Sequence, residues 1–219
     1  VKANDGTDDS NIITIPITVY SYHGNEEQSW SIIEDSNGDY MFSGKRSLFR
    51  TSPDGNQIWS KEYNINNPGD QNDPLRVRQT ADGGFILVGR ANKGSSSSGV
   101  SWDARIIKTD SSGNEEWSRD FNTVETNGNN ANDYGQDVQQ ATDGGYFVLW
   151  NQSGGDAGFL SKIDASRNEQ WRYIFEETSN TINVKSLAST NDGGCIVSFD
   201  LSAGEARLRK LNSSGSLEW

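Results

Sequence analysis

One ten-residue phrase occurs four times in this chain and constrains the fold more than any other feature. Three copies share the core Asp-Gly-Gly, and the first copy is divergent: TADGGFILVG (80–89), ATDGGYFVLW (141–150), TNDGGCIVSF (190–199) and DSNGDYMFSG (35–44). A second shared phrase follows each copy and ends in tryptophan: LFRTSPDGNQIW (48–59), IIKTDSSGNEEW (106–117), LSKIDASRNEQW (160–171) and LRKLNSSGSLEW (208–219). Four units in the same register indicate a repeat protein.

Each repeat predicts four β-strands. Strand a precedes the glycines, strand b follows them, strand c ends at a basic residue, and strand d passes through the tryptophan. Alternation of β-branched and aromatic residues is typical of strands, and we find no helical period. The basic residue stands nine positions before each tryptophan: Arg50, Lys108, Lys162 and Lys210.

The Asp-Gly-Gly motif resembles a phosphate-binding loop only superficially. Such a loop needs a helix after the glycines and usually a lysine, whereas a strand follows here. We therefore predict a two-residue hairpin turn of the primed type between strands a and b, because glycine tolerates positive φ. The structural glycines are then Gly83, Gly84, Gly144, Gly145, Gly193 and Gly194.

Four-stranded units at this period predict an all-β protein, a β-propeller with four blades of four antiparallel strands. The expected blades cover approximately 29–63, 75–121, 136–175 and 183–219. One large aromatic residue at a fixed place on each strand d can fill the gap between neighbouring sheets. We assign that role to Trp59, Trp117, Trp171 and Trp219.

The repeat resembles those of secreted bacterial and archaeal β-propellers found in large cell-surface proteins. Its closing phrase also resembles the tryptophan-docking repeat of quinoprotein-like propellers. The resemblance covers about residues 29–219 and implies the fold and a secreted or cell-surface location. It implies little about the ligand, because such proteins share blades and differ in what they bind. Nothing matches a quinone-enzyme active site, so that cofactor is not expected.

The ends of the chain raise the question of how the ring closes. Residues 11–22, NIITIPITVYSY, alternate like a strand d, and we expect them to complete the last blade within a single domain, 11–219, behind a flexible lead-in, 1–10. Two alternatives stay open. The chain could be part of a propeller with more blades, or the N-terminal strand could enter a neighbouring subunit and build a filament.

The connections between strands differ on the two faces of the predicted propeller. The a–b and c–d turns are short and form what we call the short-turn face. The d–a and b–c connections are long and form the long-loop face, at 64–74, 91–102, 122–136 and 151–157. Variable loops on a constant scaffold usually carry binding, although they can also be merely solvated. Our candidate ligand-binding residues are Trp102, Asp103, Asn132, Asp133, Tyr134 and Asp156.

The sequence predicts no cofactor, with a structural calcium ion as an open alternative. Oxygen-rich segments at 35–39 and around Asp70 and Asp73 contain the ligands calcium prefers, but turn residues have the same composition. His23 is the only histidine and is expected on the surface, and Cys195 lies on a strand b, where a buried, inert thiol is expected. No catalytic residues are assigned.

The formal net charge of −12 disfavours nucleic acid and anionic membrane surfaces as partners, and no segment has the about 20 apolar residues of a membrane span. We therefore expect a non-enzymatic, extracellular or cell-surface binding or display module for a glycan or a protein. The alternatives are a self-associating structural subunit and a polysaccharide-active enzyme.

Overall fold

A computed structural model describes residues 31–44, 47–63, 76–96, 99–123, 132–153, 157–177 and 180–219, with the side chains of 93–101 excepted. Every regular element in these ranges is a β-strand. The predicted strand 11–22, the lead-in 1–10 and His23 lie outside the described residues, so the closure of the ring stays a prediction.

The strands form four antiparallel sheets, each with its strands in chain order. The first sheet contains β1 (Ser31–Glu34), β2 (Tyr40–Ser43), β3 (Ser47–Thr51) and β4 (Gln57–Glu62). The second contains β5 (Arg76–Gln79), β6 (Phe85–Ser96), β7 (Gly99–Thr109) and β8 (Glu115–Phe121). The third contains β9 (Asp133–Gln140), β10 (Tyr146–Gln152), β11 (Gly158–Ile163) and β12 (Glu169–Phe175). The fourth contains β13 (Ile182–Ser189), β14 (Cys195–Leu201) and β15 (Ala206–Leu211), with one further bridge between Leu211 and Leu217.

These strands confirm the four-strand repeat and correct two of its details. Residues 91–102 were expected to form an irregular loop, but most of them extend β6 and β7 into a long hairpin, in which Ala91 pairs with Asp103. A serine- and glycine-rich composition is typical of loops, yet the backbone groups are satisfied by pairing across the hairpin. The third sheet begins at Asp133 rather than at 136.

The predicted two-residue turn between strands a and b is wrong. The amide of Gly83 donates to the carbonyl of Thr80, and the amide of Thr80 donates to the carbonyl of Gly84, so that three residues form the loop. Only the first glycine, Gly83, has positive φ, at 81°, which is the geometry of a type I turn followed by a left-handed glycine. The same pattern recurs at Gly144 and Gly193.

The second glycine of each motif is required for space. A Cβ atom at Gly84 would lie 2.1 Å from the carbonyl oxygen of Thr109 and 2.7 Å from the Nζ atom of Lys108. Gly145 and Gly194 face the equivalent atoms at the end of the neighbouring strand c. The second glycine therefore recurs because a lysine of strand c packs directly on the turn.

That lysine is buried in all three sheets and is bound by the turn it covers. The ammonium groups of Lys108, Lys162 and Lys210 lie 2.8, 2.8 and 2.7 Å from the aspartate carboxylates of the Asp-Gly-Gly motifs. Each also donates to the carbonyl of the residue that follows it in the chain. The lysine thus ties the a–b turn to strand c.

The divergent first repeat has the same link with different residues. Arg50 takes the place of the lysine and lies 2.8 Å from Asp35 and 2.9 Å from Asp39. Asp39 occupies the position of the second glycine, since its carbonyl accepts from the Asp35 amide as that of Gly84 accepts from Thr80. Arginine and aspartate therefore replace lysine and glycine together.

Three of the recurring tryptophans join one sheet to the next, as predicted. Trp59, Trp117 and Trp171 pack against the three buried apolar clusters that the described residues form between successive sheets. Two of them lie on the c–d turn of the following sheet. A Cβ atom on Gly113 would lie 2.6 Å from Trp59, and one on Gly215 would lie 2.6 Å from Trp171. Docking of the preceding indole and the positive φ of both residues, 78° and 81°, together explain the glycine in these turns.

Trp117 meets an arginine at the equivalent position of the third sheet. Arg167 keeps the left-handed conformation, with φ of 73°, and its guanidinium carbon lies 5.9 Å from the centroid of the Trp117 ring. It is the one non-glycine residue with positive φ in the described ranges. A cation–π contact thus replaces the close approach of indole and glycine.

Within the described residues, Trp219 does not fill a gap between sheets as the other three tryptophans do. Its side chain is 62% exposed, and it belongs to none of the three clusters. The other three tryptophans lie on strands that pair along strand c, whereas residues 217–219 are held through the Leu211–Leu217 bridge and two backbone hydrogen bonds between Lys210 and residues 218 and 219.

Polar contacts also connect the inner strands of successive sheets. The buried carboxylate of Asp137 on β9 accepts from Arg78 on β5 at 3.2 Å and from the Ser186 hydroxyl and the Leu187 amide on β13 at 2.7 and 3.0 Å. One side chain thereby joins three sheets. The carboxamide oxygen of Gln140 accepts from the Ala81 amide of the preceding turn at 2.8 Å, as that of Gln79 does from Ser36.

The two glycines of one motif should respond differently to alanine. Gly144→Ala places a side chain in open space at φ of 83° and should cost about 1 kcal/mol of unfolding free energy. Gly145→Ala places Cβ 2.2 Å from the Ile163 carbonyl and 2.5 Å from the Lys162 ammonium and should cost more than about 2 kcal/mol. Urea denaturation measures both variants, and equal costs would contradict the packing role of the second glycine.

Opposite substitutions at equivalent positions of two c–d turns should change the stability in opposite directions. Arg167→Gly removes a left-handed arginine and should stabilise the protein by roughly 0.5–1 kcal/mol, after the loss of the Trp117 contact. Gly113→Arg forces a side chain against Trp59 and should destabilise it. Thermal denaturation of both variants tests this, and a destabilised Arg167→Gly protein would show that the cation–π contact outweighs the backbone strain.

Candidate functional site

Five of the predicted ligand-binding residues lie together at the long-loop face, between the second and third sheets. Trp102 and Asp103 lie on β7, Asn132 immediately precedes β9, and Asp133 and Tyr134 are its first residues. Asp156, Asp70 and Asp73 lie outside the described residues. We call the five described residues, together with Arg90 on β6, the Arg90 cluster.

Asn132 and Asp133 hold the ends of several strands at this face. The side-chain oxygen of Asn132 accepts from the Trp102 amide at 3.0 Å, and its carbonyl accepts from the Ser153 amide at 2.6 Å. The buried carboxylate of Asp133 accepts from the amide and the hydroxyl of Thr123, at 2.7 and 2.9 Å. The Asn-Asp pair therefore positions the cluster and is itself occupied by structural contacts.

Arg90 is the member of the cluster that the sequence did not reveal. Its guanidinium carbon lies 4.2 Å from the centroid of the Trp102 ring and 4.9 Å from that of Tyr134. Both distances are typical of cation–π contacts. The ring surfaces under Arg90 are covered, so a ligand that stacks on either aromatic residue must use the other surface.

The cluster contains two buried carboxyl groups, Asp103 and Asp133, which are 4% and 0% exposed. Burial raises the pKa of the Asp133 carboxyl to about 7; the hydrogen bonds from Thr123 oppose this shift, and the nearby Asp103 charge adds to it. A carboxyl group that titrates near pH 7 can act as an acid in catalysis, but this one is shielded from solvent. Its position suits a structural role.

A shallow depression of about 320 Å³ adjoins the cluster, between the third and fourth sheets. The described residues that line it are uncharged, and most of them are polar: Tyr134, Gln136, Asn151, Gln152, Ser153, Thr181, Ile182 and Asn183. Tyr134 contributes to both sites. The depression was not expected from the sequence, because its residues come from β9, β10 and the start of β13, which are far apart in the chain.

A β-bulge shapes one wall of this amide-lined depression. On β9, Asp137 pairs with Leu149 and Gly135 pairs with Trp150, which leaves Gln136 as the extra residue. Bulges bend a strand and turn a side chain away from the regular alternation. Gly135 lies against β6, where a Cβ atom would be 2.4 Å from the carbonyl oxygen of Gly89, so the bulge is held close to the second sheet.

The described residues offer little to a metal ion. They contain no group of three or more histidine, cysteine, aspartate or glutamate side chains placed to hold one. In the 35–39 segment, Asp35 and Asp39 are both paired with Arg50. Cys195 is buried as predicted, and burial raises the pKa of its thiol to about 12.

Comparison with known proteins identifies the fold but no family. No protein-family model matches the chain, and no curated protein is significantly similar to it. The WD40 domain of Neurospora crassa Pan2 is similar in structure, with a TM-score of 0.51 and 11% identity over 88% of this chain and 50% of that one. An exo-β-1,3-galactanase from Phanerochaete chrysosporium gives 0.50 and 10% over 86% and 48%. A Bacteroides caccae protein of unknown function gives 0.49 and 12% over 90% and 82%.

The fold is a β-propeller. The Pan2 domain and the galactanase support this at identities that carry the fold alone, and the chain spans about half the length of each. The described residues include no helix with the length and apolar character needed to cross a bilayer.

The raised pKa of Asp133 predicts a pH-dependent stability. An unfolded aspartate titrates near pH 3.9, so between about pH 4 and 7 the native state binds the extra proton and stability falls as the pH rises. Asp133→Asn keeps an acceptor for the Thr123 amide and cannot ionise. Its unfolding free energy relative to the parent protein should therefore increase by up to about 4 kcal/mol between pH 4 and pH 8, at 1.36 kcal/mol per pKa unit. Urea denaturation of both proteins at each pH measures the difference, and a constant difference would show that Asp133 is ionised throughout.

Proposed function

We propose that this propeller is a non-enzymatic binding or display module, secreted or at the cell surface, that recognises a glycan or another protein through its long-loop face. The observation that carries the proposal is the arrangement around Tyr134. This half-buried aromatic residue is contacted by Arg90 and also borders the depression, whose described lining is uncharged. A rigid aromatic side chain beside unpaired hydrogen-bonding groups is typical of a recognition surface.

The burial of the two carboxyl groups supports a binding role over catalysis. Glycoside hydrolysis needs two carboxyl groups that flank a bound sugar. Asp103 and Asp133 are both buried, and the Asp133 oxygens are occupied by Thr123. A reducing-sugar assay over a polysaccharide panel addresses the enzymatic alternative, which product release would support.

The secreted or cell-surface location is proposed mainly from the resemblance of the repeats, and the composition of the chain agrees with it. The chain is strongly acidic, with a net charge of −12, and its single cysteine is buried and cannot form a disulfide within the chain. An acidic surface favours solubility and disfavours binding to nucleic acid and to anionic lipid. Its repeats also resemble those of cell-surface propellers.

The aromatic residues of the Arg90 cluster should dominate binding. Trp102→Ala and Tyr134→Ala should each weaken binding at least about tenfold, a loss of 1.4 kcal/mol, to ligands identified on a glycan array or a panel of surface proteins. Biolayer interferometry measures the change. Trp219→Ala and Tyr40→Ala are matched controls, because both side chains are exposed and lie outside the cluster.

Unchanged binding in both cluster variants, with native circular dichroism, would rule out this site. Size-exclusion chromatography of the same samples tests the second candidate function, a self-associating structural subunit. That alternative is favoured by large apolar side chains that are exposed on the first and fourth sheets, Ile32 at 69% and Leu208 at 57%. A monomer at high concentration would exclude it.

A further inference from the structure

The amide-lined depression between the third and fourth sheets has a chemistry that the Arg90 cluster lacks. Four of its side chains are carboxamides, Gln136, Asn151, Gln152 and Asn183, and Ser153, Thr181 and Tyr134 add hydroxyl groups. A carboxamide offers both donors and an acceptor, as a hydroxyl group does. None of the described residues that line the depression is charged, and three separate strand ends contribute to the lining.

Part of this set is committed to the floor of the depression. The amide nitrogen of Asn151 donates to the side-chain oxygen of Asn183 at 2.8 Å and to the Val184 carbonyl at 3.0 Å, and its oxygen accepts from the Val184 amide at 2.8 Å. Asn151 is therefore saturated. The bond from Asn151 to the side-chain oxygen of Asn183 fixes the orientation of the Asn183 carboxamide, and with it the direction of its NH2 group.

The other carboxamides are available. Within the described ranges, neither the Gln136 nor the Gln152 side chain makes a hydrogen bond to another residue, and both are half-buried. Gln136 is the extra residue of the β9 bulge. Ordering glutamine side chains without partners costs conformational entropy, which a ligand with matching hydrogen bonds would offset.

We infer that the amide-lined depression binds an uncharged sugar residue of a polysaccharide or glycan, with Tyr134 as the apolar wall and Gln136, Gln152 and Asn183 as hydrogen-bonding groups. This inference rests on the proposed function and names its substrate class. Sugar hydroxyl groups both donate and accept, and they match carboxamides better than they match a charged pocket. The volume of about 320 Å³ is at the lower end of the range for small-molecule sites, which fits a single sugar ring with its chain leaving toward solvent.

The electrostatic surroundings select against acidic sugars. The described part of the lining supplies no cation, and the chain carries a net charge of −12. A uronate or a sulfated sugar would lose part of its hydration without gaining a positive partner, which is costly. Arg90 lies over the Tyr134 ring beside Trp102 and is not among the residues that line the depression.

Affinity electrophoresis with polysaccharides in the gel tests the inference. The neutral probes are dextran, laminarin and galactomannan, and the acidic probes are alginate, polygalacturonate and heparin. We expect at least one neutral polysaccharide to retard the protein and the acidic ones to leave its mobility unchanged. Gln136→Ala and Gln152→Ala should each weaken the retardation about tenfold, while Gln57→Ala, a glutamine on the exposed face of β4, should not.

The possible outcomes separate the inference from the proposed function. Neutral binding that survives both glutamine variants but is lost in Trp102→Ala would overturn the depression as the site and leave the binding function standing. Retardation by acidic polysaccharides alone, or binding to a protein without any glycan, would likewise overturn the inference only. Absence of every glycan and protein ligand would overturn both.

Discussion

The fold depends on burying an ammonium group at the short-turn face of the second, third and fourth repeats. Lys108, Lys162 and Lys210 are 2–7% exposed, and a buried charge is tolerated only when it is paired and fully hydrogen-bonded. Each finds its partners in the aspartate of the a–b turn and in a backbone carbonyl of its own strand. The aspartate must then stand in the turn, and the second glycine must leave room for the lysine. One electrostatic requirement thus fixes the turn sequence, the end of strand c and the contact between them.

Two departures from the repeat, one at an a–b turn and one at a c–d turn, show what is retained when the residues change. In the first sheet, Arg50 binds two carboxylates, so charge pairing is retained although lysine and the second glycine are both absent. In the third sheet, Arg167 has the left-handed backbone of the glycines at the equivalent positions and contacts the tryptophan of the preceding sheet, Trp117. The pairing and the backbone conformation persist while the residues change. The repeat therefore preserves interactions and conformations more strictly than it preserves particular side chains.

The sequence predicted features that recur and missed those that depend on neighbouring sheets. Strand order and the positions of Trp59, Trp117 and Trp171 follow from spacing alone. The nine-residue interval between the lysine and the tryptophan is visible in the sequence. The structure shows its cause, because Lys108 lies directly opposite Trp117 in the pairing of strands c and d. The predicted turn type was wrong because two-residue and three-residue hairpin loops both use a glycine with positive φ, and the sequence does not distinguish them. Asp137, Arg90 and Gln136 carry no local signal, since their roles arise from contacts between residues distant in the chain.

The two faces of the propeller use their polar residues in opposite ways. At the short-turn face, the lysines, aspartates and Gln140 are consumed by links within and between sheets, so a change there alters stability. At the long-loop face, Asn132, Asp133 and Asn151 make the structural contacts, and Gln136 and Gln152 stand beside them without protein partners in the described ranges. Side chains that make no structural contacts can be substituted without unfolding the protein. A repeat scaffold can therefore acquire a ligand-binding site at such positions. The residues most informative about function are therefore those that the repeat does not conserve.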